Sequence, residues 1–263
     1  MNRKNILIVG DKFTNFAEGK DALTFSQLRH LIKQKKIPGG SQAKIYLIPG
    51  QGFSDVDTQT LLDEARLSQN RKYFDFSLFQ NRPKRASTSL SHKSDDRNTL
   101  LSVPKRIGED HYQMQLMLDE NCELMGDHQS GQHVQGMVLF EAARQSLLVV
   151  TEAFYLTQQS NIKHAFIFNK MAVTFSHFAF PIDAKLDYCI KEKKERKTRM
   201  SFVVDITIEQ CGVVAASFEA EFSVFKHEFI SLKEGTQAQQ ALGDLLASPE
   251  SNSAEEHQGE MAY

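Results

Sequence analysis

A chain of 263 residues that is 41% hydrophobic can bury a full core, as one large domain or two small ones. Its formal net charge of -2 offers no overall field for nucleic acid, and three widely spaced cysteines (Cys122, Cys189, Cys211) without a C-x-x-C pair argue against a disulfide framework or a thiolate zinc site. With no signal-peptide pattern and no apolar run of spanning length, the expectation is a cytoplasmic protein without a membrane span.

Residues 5–10 form a short apolar run ending in glycine and read as a strand. Residues 22–32 carry Leu23, Leu28, Leu31 and Ile32 on one helical stripe. Residues 44–48, closed by Pro49-Gly50, read as a second strand, and residues 58–67 as a second helix with Leu61, Leu62 and Ala65 inward. Strand, helix, strand, helix within the first 80 residues is a small α/β-like segment. VGDKFTNFAEG lacks the G-x-G-x-x-G spacing and no Walker lysine follows, so no nucleotide cofactor is expected. Residues 81–100, within NRPKRASTSLSHKSDDRN, are polar and have little to bury. They read as a linker or mobile loop, whose basic flank (Arg82, Lys84, Arg85) leaves a phosphate or acidic partner as the alternative.

Residues 101–230 have a different pattern. Residues 111–118 alternate, with Tyr112, Met114, Leu116 and Leu118 on one side, and a short strand is expected over 122–125. A polar turn, residues 126–136, feeds a helix from Met137 to about Gln158 that is apolar around much of its circumference and therefore buried. Four strands follow, at 166–175, 184–190, 202–208 and 214–224, rich in β-branched and aromatic residues. Nineteen Phe against no Trp, mostly in alternating segments, also point to sheet packing. KEKKERKTR, residues 191–199, reads as a solvated hairpin tip, or else as a patch for an acidic or phosphorylated partner. Residues 231–263 read as an acidic, largely disordered tail with one short helix around Leu242, Leu245 and Leu246. One or two strands, a long buried helix and a run of antiparallel strands make an α+β fold in which a sheet wraps the helix. Its open edge makes a homodimer the natural expectation.

The candidate site lies in GDHQSGQHVQGMVLFEAARQ, residues 126–145. Glu141 stands among apolar neighbours, where an ionised carboxylate must pair, protonate or face a cavity. Arg144 and Gln145 share its face, so an ordinary intrahelical ion pair is one reading. The other is catalytic. Gly131 and Gly136 allow close backbone approach, and unpaired N–H groups at the helix start can hold a carbonyl oxygen that gains charge. His128 or His133 can move a proton near neutral pH. On this reading Glu141, His128 and His133 are the catalytic candidates, and Gly131, Gly136, Met137, Arg144 and Gln145 contact substrate. Glu141 is then expected to face a hollow that also receives a histidine. The remaining histidines are scattered without ligand spacing, and no metal site is expected.

GDHQSGQHVQGMVLFEAARQ closely resembles the AfsA-type signature of A-factor biosynthesis proteins, roughly D-H-x-x-G/D-H-V-P-G-M-x-L-x-E-A-A-R-Q. It is distantly similar to the G-H-F-P-G turn and helix glutamate of the β-hydroxyacyl carrier protein dehydratases. SVPKR, residues 102–106, resembles the V-H-K-R that opens many AfsA-type domains, and the likeness covers about residues 100–228. It implies a hotdog fold, a curved antiparallel sheet around a long central helix. It implies action on an acyl thioester carried by acyl carrier protein or coenzyme A: transfer of a β-ketoacyl group to the hydroxyl of dihydroxyacetone phosphate in γ-butyrolactone synthesis, or dehydration. Thioester hydrolysis and non-catalytic acyl binding or scaffolding are the alternatives. By position Glu141 matches the shared helix glutamate, His133 the H-V-P-G histidine, and Arg144 the E-A-A-R-Q arginine, which could meet a phosphate. His128 lies near the dehydratase histidine, one residue closer to the glutamate. In hotdog dimers such sites often lie between subunits, so histidine and glutamate can come from different chains. Gln135 replaces the family proline, and no second copy of the motif accompanies the first, whereas AfsA-type synthases generally carry two hotdogs in tandem.

Overall fold

The computed structural model describes residues 4–34, 44–127, 130–156 and 162–247. It begins with a small parallel sheet. β1 (Lys4–Val9) is followed by a single turn, α1 (Thr14–Ala17), then β2 (Ala22–Thr24) and α2 (Phe25–Lys33). β3 (Ile45–Pro49), α3 (Asp55–Leu67), β4 (Phe74–Asp75) and a second single turn, α4 (Ser77–Gln80), complete the unit. The strand order is β2-β1-β3-β4, all parallel. Residues 22–24, expected to open the helix, are instead a strand paired with residues 7–9 of β1. The reason is the capping box: the Thr24 hydroxyl accepts from Gln27 N–H while the Gln27 side chain accepts from Thr24 N–H, so the helix cannot start earlier. Ser54 and Asp57 fix the start of α3 in the same way.

The second sheet is antiparallel and holds the larger core. Its strands are β5 (Lys105–Arg106), β6 (His111–Gln115), β7 (His164–Phe175), β8 (Lys185–Arg196), β9 (Arg199–Gln210) and β10 (Val213–Lys226), in the order β5-β6-β8-β9-β10-β7. Two further helices belong to it: the single turn α5 (Thr88–Ser91) and the 19-residue α6 (Gly136–Phe154). Alternate residues of the strands point at α6: Leu186, Tyr188 and Ile190, then Val204, Ile206 and Ile208, then Phe218, Phe222 and Val224 are all buried. The helix answers with Val138, Leu139, Leu147, Val149 and Val150, while Ala142 and Ala143 let the backbones approach. Each fully buried aliphatic side chain contributes about 1.5–3 kcal/mol. Register shifts between Ile190 and Glu192, Val214 and Ala216, and Glu221 and Phe222 bend the sheet so that it curls around the helix. The β9–β10 hairpin turns on Cys211 and Gly212, both with positive φ, the twist that a two-residue hairpin needs. This is the hotdog fold.

Three expectations need correction. Residues 122–125 form a 3-10 turn, not a strand, because Asp119 accepts from the N–H groups of Asn121 and Cys122 and turns the chain. Residues 81–100 are not a free linker. Ala86 and Leu100 are buried, and Arg85, 8% exposed, donates to the carbonyls of Thr99 and Met117. The acidic tail begins as a continuous helix, α7 (His227–Ala247), in which only Ile230 is buried; residues 248–263 lie outside the described residues. The basic run 191–199 extends β8 and β9 beyond the core into solvent. No described helix is long and apolar enough to cross a membrane.

The two sheets meet where the parallel strands end. Gln51 donates from Nε2 to Leu116 O (2.9 Å) and accepts from Leu118 N–H (2.8 Å), and Gly52 N–H reaches Leu118 O. Glu120 accepts from Lys12 N–H at 2.8 Å. Burial pushes the Glu120 carboxyl up to about 7 against that hydrogen bond, and Asp11 adds to the rise. An acid whose pKa is higher in the fold than its ordinary 4.5 takes up a proton on folding between the two values, so stability falls as pH climbs from about 4.5 to 7. Glu120→Gln keeps an acceptor for Lys12 and removes the charge. It is expected to be about 1–2 kcal/mol more stable than the parent at pH 8 and equal to it near pH 4.5, in urea titrations at both pH values; a variant weaker at pH 8 would refute this.

Candidate functional site

The entry to α6 is built from both sides of the chain. Gly131 has φ of +70°, which a side chain would strain, and its carbonyl accepts from Phe16 N–H. Val134 N–H donates to Ala179 O at 2.7 Å, laying the turn beside residues 176–180. Gln135 is the N-cap, its carbonyl accepting from Val138 and Leu139, and its side chain donates to Asp127 O. The N–H groups of Gly136 and Met137 have no intrahelical acceptor and no partner among the described residues. Gly136 lies against the Phe175 ring, where an added Cβ would come within 3.1 Å of ring carbon.

His133 stands beside these amides in sequence. Its Nδ1 is 3.1 Å from Ser130 Oγ and its ring centroid 4.9 Å from that of Phe178. Met137 (62%), Phe175 (50%) and Phe178 (70%) are exposed around it, an apolar patch at the mouth of the helix. His128 lies outside the described residues. Among the described residues no group of three or more His, Cys, Asp or Glu could hold a metal ion.

Glu141 is engaged by three side chains. Arg144 grips it with two donors, Nε to Oε2 at 2.6 Å and Nη2 to Oε1 at 2.7 Å. Lys93 Nζ lies 2.9 Å from Oε1 and Gln145 Nε2 3.1 Å from it. Burial by itself raises the carboxyl pKa. The bonds from Arg144, Lys93 and Gln145 outweigh it and hold the group at about 2, ionised throughout the neutral range. The ion-pair reading is thus the arrangement present: among the described residues the partners of Glu141 are Arg144, Lys93 and Gln145, and His133 is not one of them. Gln145 is fully buried: its Oε1 accepts from Leu100 N–H (2.8 Å) and its Nε2 donates to Asn98 O (2.7 Å). Further along, Glu152 meets His92 at 2.8 Å. The helix stripe therefore pins residues 92–100 across the open side of α6.

Lys93 and His92 had no signal in the sequence. They sit in SHKSDD, a run whose composition reads as solvent-facing, and only the contacts with Glu141 and Glu152 reveal their use.

Because Glu141 ionises far more readily in the fold than at its ordinary 4.5, its stabilisation is complete above that value and is lost as pH falls toward 2. Glu141→Gln leaves the half-buried Arg144 without its counterion and Lys93 with Glu123 alone. Urea denaturation should show a loss of about 1–3 kcal/mol at pH 7 that shrinks toward pH 3. An equal loss at both pH values would contradict the ion-pair account.

Comparison with known proteins places this geometry. The model of the A-factor biosynthesis hotdog domain (AfsA) matches residues 75–226, more than half of the chain. No curated protein matches it. Among solved structures, a mutant thioesterase from Pseudomonas aeruginosa is similar at 11% identity, covering 56% of this chain and 97% of its own, with a TM-score of 0.39. A thioesterase from Haemophilus influenzae is similar at 11% identity, covering 53% and 87%, with a TM-score of 0.37. A Streptococcus mutans protein bound to acetyl CoA is similar at 13% identity, covering 47% and 87%, with a TM-score of 0.33. With the family motif at residues 126–145 standing at the turn into the wrapped helix, the chain belongs to the A-factor biosynthesis (AfsA) hotdog family.

Proposed function

We propose that this protein acts on an acyl thioester at the mouth of α6, transferring a β-ketoacyl group from a carrier protein or coenzyme A thiol to a hydroxyl acceptor. The observation that carries this reading is the pair of amides without a partner among the described residues, Gly136 and Met137, at the start of a 19-residue helix with the His133 imidazole in the adjoining turn. The amides and the helix dipole would stabilise the oxygen of the thioester carbonyl as it becomes an oxyanion. His133 would take the proton of the acceptor hydroxyl, whose oxygen attacks the carbonyl carbon. A carbon–oxygen bond forms, the carbon–sulfur bond breaks, and the proton passes to the departing thiolate. We assign proton transfer to His133 rather than Glu141, whose three donors keep it ionised. Arg144 is committed to Glu141 through Nε and Nη2, which supports an anchoring role before a phosphate-binding one.

A homodimer fits the same reading. β5 at one edge of the large sheet is two basic residues long, whereas β7 at the other edge runs for 12 residues and exposes Phe168 and Phe175. A second copy added along β7 would cover the patch at Met137, Phe175 and Phe178 and close an acyl groove. A second reading, acyl binding without turnover, is favoured by one observation: the Glu141 carboxylate is taken up by Arg144, Lys93 and Gln145.

The test is incubation with a panel of β-ketoacyl carrier and coenzyme A thioesters plus a hydroxyl acceptor, with released thiol followed by a colorimetric dye and products by mass. Transfer predicts thiol release with ester formation, and a loss of about 10²–10⁴-fold in turnover for His133→Ala. Thiol release with free acid instead of ester would indicate hydrolysis, and saturable binding without thiol release would select the binding reading. Sedimentation of the parent is expected to show a dimer; a monomer at micromolar concentration would overturn the shared groove.

A further inference from the structure

Residues 4–74 precede the matched domain, and their place in the molecule is unusual for an α/β unit. The order β2-β1-β3-β4 reverses direction between β1 and β3, and the crevice beyond the carboxyl ends of such strands is where open parallel sheets take ligands. Here the crevice is filled from within the chain. A Cβ on Gly10 would lie 2.4 Å from both Gly52 O and Glu120 Oε2, and Lys12 N–H donates to that same carboxyl oxygen. The carboxylate of Glu120 stands where an anion would otherwise meet the first turn after β1.

The same turn then reaches the entry of α6. Lys12 Nζ donates to Met125 O at 2.8 Å. Asn15 Nδ2 donates to Ser130 O at 2.9 Å, Phe16 N–H to Gly131 O at 2.9 Å, and Gln132 Nε2 returns a bond to Asn15 O at 2.9 Å. Gly131 suits the far side through its φ of +70°, and a Cβ there would crowd the Asn15 side chain at 2.9 Å from Nδ2. The chain enters α6 through Gln135, which has no ring to fix its φ, so stiffness at this point must come from elsewhere.

We infer that the N-terminal α/β unit is a positioning module: its first βα turn clamps Met125 and residues 130–132 and so sets where His133 and the amides of Gly136 and Met137 stand. Asn15 is its central positioning residue, donating to the turn and accepting from it. The crevice is consumed in making this clamp and takes no nucleotide. The effect on turnover rests on the function proposed above; the clamp itself does not.

The test uses the full chain with Asn15→Asp, which keeps size but turns an acceptor toward Ser130 O, and Lys12→Met, which removes the bond to Met125 O. Glu18→Gln, on the exposed end of the same turn, is the control. Hydrogen–deuterium exchange is read over residues 130–136, over β1 and over β9. Asn15→Asp and Lys12→Met are each expected to speed exchange at 130–136 by roughly tenfold while β1 and β9 exchange as in the parent. If residues 130–136 exchange at parental rates in both variants, or if all three regions accelerate together, the inference is overturned. Where the parent turns over a thioester, Asn15→Asp should lower kcat about tenfold with KM within about twofold, the signature of displaced reacting groups; a change in KM alone counts against it. A parent without turnover sinks the proposed reaction and leaves the exchange result to decide the clamp.

Discussion

The structure turns on what happens to the side of α6 that the curved sheet cannot reach. Strands β8, β9 and β10 bury the apolar faces of the helix, but a sheet wraps only part of a cylinder, and the remaining stripe carries Glu141, Gln145 and Glu152. Left against apolar neighbours these groups would cost several kcal/mol each. Residues 92–100 cover them, supplying His92, Lys93, the Asn98 carbonyl and the Leu100 N–H as partners. The covering segment, in turn, has too little apolar surface to stay down alone. Each half of the contact makes the other possible, and the glutamate that looks anomalous in the sequence is the counterion of a lysine 48 positions earlier.

Glu120 and Glu141 show how strongly donors decide the fate of a buried carboxyl. Both are largely removed from water, and burial is the leading influence on each. Glu120 receives one backbone N–H and has Asp11 and Asp119 nearby, so its pKa rises. Glu141 receives a bidentate guanidinium, an ammonium and an amide, so its pKa falls to about 2. Charge-assisted bonds are about twice as strong as neutral ones, and here two of the three partners are cations. Near neutral pH the first is poised to change charge and the second is a fixed anion.

The sheet-wrapped helix was legible because its cause is local: Phe202, Val204, Ile206 and Ile208 alternate at the period of a strand, and residues 137–150 are apolar on too many sides for a surface helix. The turn at 126–136 was legible as a candidate site through its glycines, its histidines and the following glutamate. What escaped depended on distant partners. Residues 81–100 look solvated by composition, yet Arg85, Ser91 and Thr99 are buried: the Ser91 and Thr99 hydroxyls bond each other, and Arg85 reaches Thr99 O and, outside the segment, Met117 O. Asn15 meets Ser130 across 115 positions, and nothing near either residue announces it. Helix α7 was half seen: Leu242, Leu245 and Leu246 marked its end, but with only Ile230 buried it lacks the apolar face by which helices are recognised.

These contacts divide the surroundings of α6 into a stiff side and an open one. The turn before it is tied to the parallel sheet, the polar stripe is tied to residues 92–100, and the strands hold the rest. The mouth combines amides that have no partner among the described residues with exposed Met137, Phe175 and Phe178. Exposed apolar side chains gathered at one place are the kind of surface by which proteins meet partners. Phe175 belongs to β7, whose outer edge pairs with no strand among the described residues, whereas the opposite edge is blunted to two basic residues at β5. One added surface, that of a second copy as proposed above, would cover both these side chains and the outer edge of β7. Assembly and completion of the groove would then be a single step.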